Sequence, residues 1–399
     1  MSIVATSPHR RFAFAVPRVD KLGVIILLLA VVGVVLSFVV LRPNRIVAGE
    51  GLTIGQSLPL LEAVLLYLLI GSGTVVALLR SGSLLRLLVS LAVVAALAVF
   101  VGRSATFLIP VGDTFARVSP GAGMWVLLFA FALVAADALI RLRLRPLPRV
   151  GVLLAVIAAV AMILWSGVWN DLSILKEYAN RAEAFWREAR THVSLAFGSL
   201  IAATIIGVPV GVLCYQRAKL RATILNILNI VQTIPSIALF GLLIAPLAWI
   251  AATIPGASEI GISGIGFAPA IVALFGYSLL PIVANTVIGL VGVQFAVKDA
   301  AKGMGMTERQ VLYAVELPLA FPVILTGIRI VLVQNIGLAT IAALIGGGGF
   351  GVFVFQGIGQ TAMDLVLLGA VPTVALSFVA AVVLDAAVEL VSARRGSRA

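Results

Sequence analysis

The chain has 399 residues, 62% of them hydrophobic and 11% charged, with a mean hydropathy of +1.19. Soluble domains carry about a quarter charged residues, so the composition excludes one and describes a polytopic all-α membrane protein. The net charge of +12 would suggest nucleic acid on a soluble protein; spread between apolar runs it reads as a topology signal, and no nucleic-acid partner is expected.

A basic N-terminus (Arg10, Arg11, Arg18, Lys21) precedes twenty uncharged residues, 22–41. No small-x-small cleavage site follows a short apolar core, so this is expected to be a retained span rather than a signal peptide. Further runs long enough to cross about 30 Å of hydrocarbon lie near 58–79, 84–101, 123–140 and 150–169. Residues 170–190 then place Leu172, Leu175, Tyr178, Ala182, Phe185 and Trp186 on one helical face, opposite the pairs Glu177/Arg181 and Glu183/Arg187. That pattern predicts an amphipathic helix lying in the outer interface, or a surface for a partner protein. Five more spans are expected near 191–215, 223–249, 267–291, 319–345 and 365–391, which makes about ten. Pro209, Pro235, Pro246, Pro281, Pro322 and Pro372 fall within or beside them, tolerable where neighbouring helices re-satisfy the freed backbone. The single cysteine, Cys214, excludes an internal disulfide, and with only His9 and His192 no metal site is expected.

With the N-terminus inside, nineteen basic residues fall on inner segments and eight on outer ones. This bias predicts cytoplasmic N- and C-termini and puts the polar stretch 298–318 on the cytoplasmic side.

That stretch, KDAAKGMGMTERQVLYAVELP, lies between two apolar runs. A short helix over 297–303 should be broken at Gly303-Met304-Gly305, because glycine readily takes positive φ. Thr307 with Gln310 is a capping-box pattern starting a second helix to about Glu316. Leu317 should be pushed to extended geometry by Pro318, bending the chain back into the membrane.

Asp299-Ala300-Ala301, then Gly305 after three residues and Val315-Glu316-Leu317-Pro318 after nine more, resembles the EAA loop of ABC importer permeases, with Asp for Glu and Val for Ile. The wording AAKGMGMTERQ, VELPLAFPVILTGIR and NIVQTIPSIALFGLL is similar to the osmoprotectant branch of that family (glycine betaine, choline, carnitine), in its N-terminally extended form. The resemblance covers about half the chain, roughly 190–391. It implies a five-helix type I importer permease core at 191–399, after an accessory bundle of about five spans at 1–169 and the interfacial helix at 170–190. It further implies that Asp299, Ala300, Ala301, Gly305, Glu316, Leu317 and Pro318 couple the chain to a pair of separate ABC ATPase subunits, which hold the ATP and Mg. A second permease copy or a sister permease, an extracytoplasmic solute-binding protein and membrane lipid complete the implied partners.

The chain's own chemistry is sparse. There is no G-x4-G-K-[ST] P-loop and no recognisable nucleophile, base and orienter, so no catalytic residue, cofactor or metal is assigned to it. The glycine run at 346–351 lacks the lysine of a phosphate cradle and reads as a re-entrant hinge or outer gate. Polar residues inside spans are costly, and besides gluing helices they can line a path; the candidates are Thr233, Pro235, Ser236, Tyr277, Asn285, Gln334 and Asn335. Arg329 is placed to reach the inner interface or pair with a carbonyl; Asp137, Asp385 and Glu389 read as interfacial, and Glu62 has no evident role. Aromatic residues in the last five spans are scattered, whereas a quaternary ammonium site favours an aromatic box, so selection of cargo is expected on the binding protein. The resulting expectation is the permease subunit of an ATP-driven importer for a small osmoprotectant of the glycine betaine type. The alternatives are an ABC permease for another small solute such as an amino acid, and an ion-coupled secondary transporter with buried coupling acids and inverted repeats.

Overall fold

The computed structural model describes residues 19–44, 47–110 and 112–396, so Arg10, Arg11, Arg18, Arg45, Arg398 and His9 lie outside the described residues. The chain divides into two units, Met1–Leu144 with Ser166–Leu172 and Arg145–Trp165 with Ser173–Ala399.

The first unit contains α1 (Lys21–Val35), β1 (Val39–Arg42), β2 (Glu50–Leu52), α2 (Ile54–Ser57), α3 (Leu60–Leu78), α4 (Ser83–Leu108), β3 (Arg117–Pro120) and α5 (Ala122–Leu142). α1 begins where the Asp20 carboxylate accepts from Leu22 N at 3.0 Å, satisfying an orphan helix donor. It ends at Val35, short of the helix expected over 22–41. The β-branched residues beyond it join an antiparallel sheet of order β2-β1-β3 instead. Gly121 and Gly123 permit this close pairing: a Cβ would lie 2.3 Å from Ser37 O on the first and 2.4 Å from Gly33 O on the second. α1, α3 and α5 bury Ile26, Ala77, Ala130 and Val134 against one another, and α4 closes on α5 through Leu87, Ala135 and Ala138. Glu62, unexplained by sequence, receives a 2.6 Å ion pair from Arg103.

The second unit contains α6 (Pro146–Trp165), α7 (Ser173–Asn180), α8 (Ala182–Gln216), α9 (Ala218–Thr233), α10 (Ser236–Thr253), α11 (Phe267–Val291), α12 (Phe295–Gly303), α13 (Glu308–Val311), a π-helical turn (Leu312–Glu316), α14 (Leu317–Ile341), a 3-10 turn (Ala342–Ile345), α15 (Gly351–Gly359) and α16 (Met363–Gly396). Its core is the seam between α8, α11 and α14, where Ala196, Leu200, Ala203, Ile282, Val331 and Ile336 meet. Small residues bring the backbones together, as at Gly211, where a Cβ would lie 2.5 Å from Thr286 Cβ. α6 packs on α16, with Arg149 paired to Asp385 at 2.6 Å and to Glu389 at 3.0 Å, and Arg329 of α14 reaches the same Asp385 at 2.6 Å. Arg329 therefore meets an acid across the helix seam.

Among the described residues nine helices are long and apolar enough to cross a membrane, and α1 is a shorter apolar helix. The protein is an all-α polytopic membrane protein apart from its small sheet. Three further expectations are corrected. The helix expected over 170–190 breaks at Arg181, and its second half is continuous with the following span as α8. Its aromatic face packs on the chain itself: Tyr178 and Phe185 cover Phe350, Phe353 and Leu365. The span expected over 223–249 is two helices, divided at Ile234-Pro235. Finally, Leu317 is helical (φ −60°, ψ −46°), and the backbone stays helical from α13 through the π-turn into α14. A proline in an α-turn clashes with the carbonyl four residues back. Here Leu317 N bonds to Leu312 O, five residues back, and the wider π-turn relieves that crowding ahead of Pro318.

Candidate functional site

The 298–318 loop folds as two limbs. α12 stops at Gly303, and Gly305 takes φ +85°, a conformation open to glycine at no steric cost. Its N–H donates to Lys302 O at 2.9 Å and Met306 N donates to Ala301 O at 3.2 Å, closing the orphan carbonyls of the helix end. The second limb starts with the expected capping box: Thr307 N donates to Gln310 Oε1 at 2.8 Å and Gln310 N to Thr307 Oγ1 at 3.4 Å.

Two ion pairs hold the limbs together. On the exposed side Lys302 Nζ lies 2.6 Å from Glu308 Oε1. On the buried side Lys298 Nζ lies 3.1 Å from Glu316 Oε1 and donates to Tyr215 OH at 2.7 Å and Leu290 O at 3.2 Å, while Tyr215 OH donates to Glu316 Oε1 at 2.8 Å. This triad joins the loop to the end of α8, the end of α11 and the start of α14. Burial alone would lower the Lys298 pKa, but the Tyr215 and Glu316 interactions outweigh it and raise the pKa above 10.5. The end of α8 is itself fixed, since Arg221 Nε donates to Cys214 O at 3.1 Å. A cleft of about 540 Å3 opens between the limbs, lined by Tyr215, Phe295, Asp299, Arg309 and Leu312 among others.

The motif residues divide by direction. Asp299, Ala300, Gly305 and Pro318 are exposed, Leu317 is half-buried, and Ala301 and Glu316 are buried. Three apolar side chains that the motif does not single out stand out from the loop: Phe295, Met304 and Tyr313, 79%, 77% and 68% exposed. Their signal in the sequence is their position, apolar residues in a polar stretch with no span to serve. Tyr215 and Lys298 carry no such signal.

The path candidates fall into separate groups. Pro281 has no N–H for the carbonyl of Tyr277, four residues back, and the Gln232 side chain supplies the missing donor at 2.8 Å. Tyr277 in turn donates through its hydroxyl to Ile234 O, at the break before Pro235. Tyr277 thus staples α11 to the α9–α10 break. Asn335 is fully buried and ties three helices, donating to Ser199 Oγ at 2.8 Å and Ser278 Oγ at 2.9 Å. Asn285 donates to Pro281 O at 2.7 Å and Thr233 to Ile230 O at 2.7 Å, both within their own helices. Thr233 and Pro235 are exposed; Ser236 and Gln334 are half-buried.

At the far end of α8 the glycine run is gripped through its backbone. Gly349 N donates to Glu188 Oε2 at 2.8 Å and Phe350 N to His192 Nδ1 at 3.3 Å. Glu188 and His192, four apart on one helix face, are legible as a pair only once the partner loop is known. Among the described residues no group of three His, Cys, Asp or Glu side chains is arranged to hold a metal ion.

Comparison with known proteins covers both units. Residues 20–175 match the N-terminal domain of the ABC transporter permease YehY, and residues 203–397 match the binding-protein-dependent transport system inner membrane component family. The choline transport system permease protein OpuBB of Bacillus subtilis is 39% identical over 188 residues, 47% of this chain and 79% of its own length. The osmoprotectant import permease protein OsmW of Salmonella typhimurium is 44% identical over 187 residues, 47% of this chain and 80% of its own. A chain from the MetNI methionine ABC transporter aligns with a TM-score of 0.47 and 26% identity over 53% of this chain and 97% of that one.

Proposed function

The chain belongs to the binding-protein-dependent transport system inner membrane component family, and from that premise we propose that it is the permease subunit of an ATP-driven importer for a small osmoprotectant of the glycine betaine type. Its relatives are permeases for choline and other osmoprotectants. The observation that carries the mechanism is the Lys298–Glu316–Tyr215 triad, because a push on α12 is delivered through it to α8, α11 and α14 together.

In this reading ATP is hydrolysed on a pair of separate subunits. Asp299, Ala300 and Gly305 meet them, with Ala301 packed behind that surface and Phe295, Met304 and Tyr313 as apolar knobs, while Glu316, Leu317 and Pro318 pass the movement into α14. Residues 191–399 form the translocation core with a second copy or a sister permease, 170–190 an outer-face segment, and 1–169 an accessory bundle except for α6, which packs on α16 of the core. Both termini and the loop are cytoplasmic, and an extracytoplasmic binding protein delivers the solute. Of the path candidates, Thr233, Pro235, Ser236, Asn285 and Gln334 meet solute in this reading, which their exposure or half-burial supports. Tyr277 and Asn335 act as ties that hold its walls.

The test is Gly305→Trp in the assembled transporter. A Cβ at Gly305 meets nothing within 4 Å, so the chain should still fold and reach the membrane. Betaine-stimulated ATP hydrolysis and uptake should both be lost; unchanged uptake would overturn the reading. Labelling of Met304→Cys by a membrane-impermeant thiol reagent from outside intact cells would overturn the topology.

A further inference from the structure

The first unit carries a basic site of its own. Where α1 begins, α3 ends, α4 begins and α5 ends, a cavity of about 400 Å3 is lined by Asp20, Lys21, Arg80, Ser81, Arg86 and Arg141. Its floor is prebuilt. Arg86 is 2% exposed in its side chain and is held by Asp20 Oδ2 at 2.8 Å, Asp137 Oδ2 at 3.3 Å and the carbonyl of Leu79 at 2.8 Å. Arg141 bridges the same two acids, at 3.2 Å to Asp20 and 2.7 Å to Asp137. Burial opposes ionisation of Asp20, but Arg86 and the Leu22 N–H outweigh it, and its pKa lies below 3.8. Asp20 is therefore charged, and both acids are already engaged by Arg86 and Arg141. Lys21 and Arg80 are exposed at the rim, with no acidic partner among the described residues.

Four cations thus face two carboxylates, an excess of positive charge. It cannot be neutralised by the segment that enters α1, because residues 1–19 contain Arg10, Arg11 and Arg18 and no acid. The site lies where apolar helices end, and apolar side chains within two turns of its residues, Ile25 and Leu28 on α1 and Leu84, Leu85 and Leu88 on α4, are exposed on separate faces of the bundle. A ligand here needs an anionic head against the exposed cations of the rim and wall and an apolar body along the adjoining helix surface.

We propose that this cavity binds the phosphate headgroup of an anionic phospholipid from the leaflet in which α1 begins, with its acyl chains over the apolar helix surface below the rim. Lys21 and Arg80 contact the headgroup from the rim, Arg141 from the wall, and Arg86 with its two acids sets the cavity's shape. Basic pockets between membrane helices favour such headgroups, and each rim cation adds attraction.

The test uses the full chain in nanodiscs of phosphatidylcholine containing graded phosphatidylglycerol, with retained lipid counted by native mass spectrometry. Lys21→Gln with Arg80→Gln, both exposed and outside the packed core, should raise the half-saturating phosphatidylglycerol fraction by about tenfold or more. Arg217→Gln with Lys219→Gln, the same charge change in the other unit, should leave it unchanged. Equal retention by the rim variant and the unaltered chain would overturn the proposal. Displacement of the lipid by inorganic phosphate at constant ionic strength would also overturn it, reassigning the cavity to a soluble anion.

Discussion

α8 and α14 are rods with a polar clamp at each end, and the two clamps are made differently. At the loop end, side chain holds side chain: Tyr215, Lys298 and Glu316 can part without any backbone group losing its helical partner. At the glycine end, Glu188 and His192 hold backbone N–H groups of a turn whose Gly346, Gly348 and Gly349 have φ of +75°, +76° and +87°. Midway, Asn335 binds α8 and α11 to α14. A loosely joined end suits the moving lever proposed for the loop, and a backbone-held turn suits a fixed fulcrum. The buried amide keeps the rods in register.

The largest effect should separate the ends by their glycines. A Cβ on Gly351 would lie 1.8 Å from Thr340 O, a backbone atom that cannot swing aside, so Gly351→Ala must displace the turn. Forcing atoms into packed structure costs about 1–3 kcal/mol and more where backbone must shift; loss of most folded, monodisperse protein in detergent is expected. Gly305→Ala meets no atom and pays only for its left-handed backbone, about 1 kcal/mol. Similar melting temperatures for the two variants would break the comparison.

Next comes the ionic clamp. Glu316→Leu leaves the Lys298 ammonium, largely shielded from water, with only Tyr215 and Leu290 O. A cost of roughly 2 kcal/mol is expected, below the 3–5 kcal/mol of a fully buried broken pair. Lys298→Met combined with Glu316→Leu should recover most of it, read as a thermal-unfolding double-mutant cycle. Additive losses would show that the two side chains do not act as a pair.

The features legible in the sequence are the local ones. The break at Gly305 and the Thr307–Gln310 box depend on neighbours within three residues, and both form as read. The bend expected at Leu317-Pro318 does not form because a proline rule framed for α-turns has another solution, the π-turn. The early end of α1 is hidden because its strand partner, Arg117–Pro120, is distant in sequence. The amphipathic face of 170–190 is visible, but its partner is not: Phe350 and Phe353 take the place assigned to lipid headgroups. In the loop the motif marks Glu316, while the residues that answer it, Tyr215 and Lys298, are ordinary until folding brings them together.

A smaller effect tests whether the middle of the bundle is braced by its prolines. Gln232→Leu orphans the Tyr277 carbonyl and should cost about 1 kcal/mol, since hydrogen bonds between membrane helices are individually modest. Pro281→Ala restores the backbone donor, so adding it to Gln232→Leu should recover much of that loss. If Gln232→Leu is equally costly in the Pro281→Ala background, the glutamine does more than replace a missing N–H.

The smallest effect is a flat line with a defined end. The Lys298 pKa is raised above 10.5 in the folded chain, so the unfolded state loses its proton first as pH rises. Its contribution to stability is fully present below that unfolded value and disappears only as pH climbs through the higher folded one. The stability difference between the unaltered chain and Lys298→Met should therefore be constant from pH 6 to about 9 and decline only above about 10.5. The clamp then carries no proton switch at neutral pH, as the proposed release by mechanical displacement of α12 requires. A difference that fell between pH 7 and 8 would show that the ammonium is not held by Glu316 and Tyr215, and the loop end would lose the ionic character that sets it apart from the glycine end.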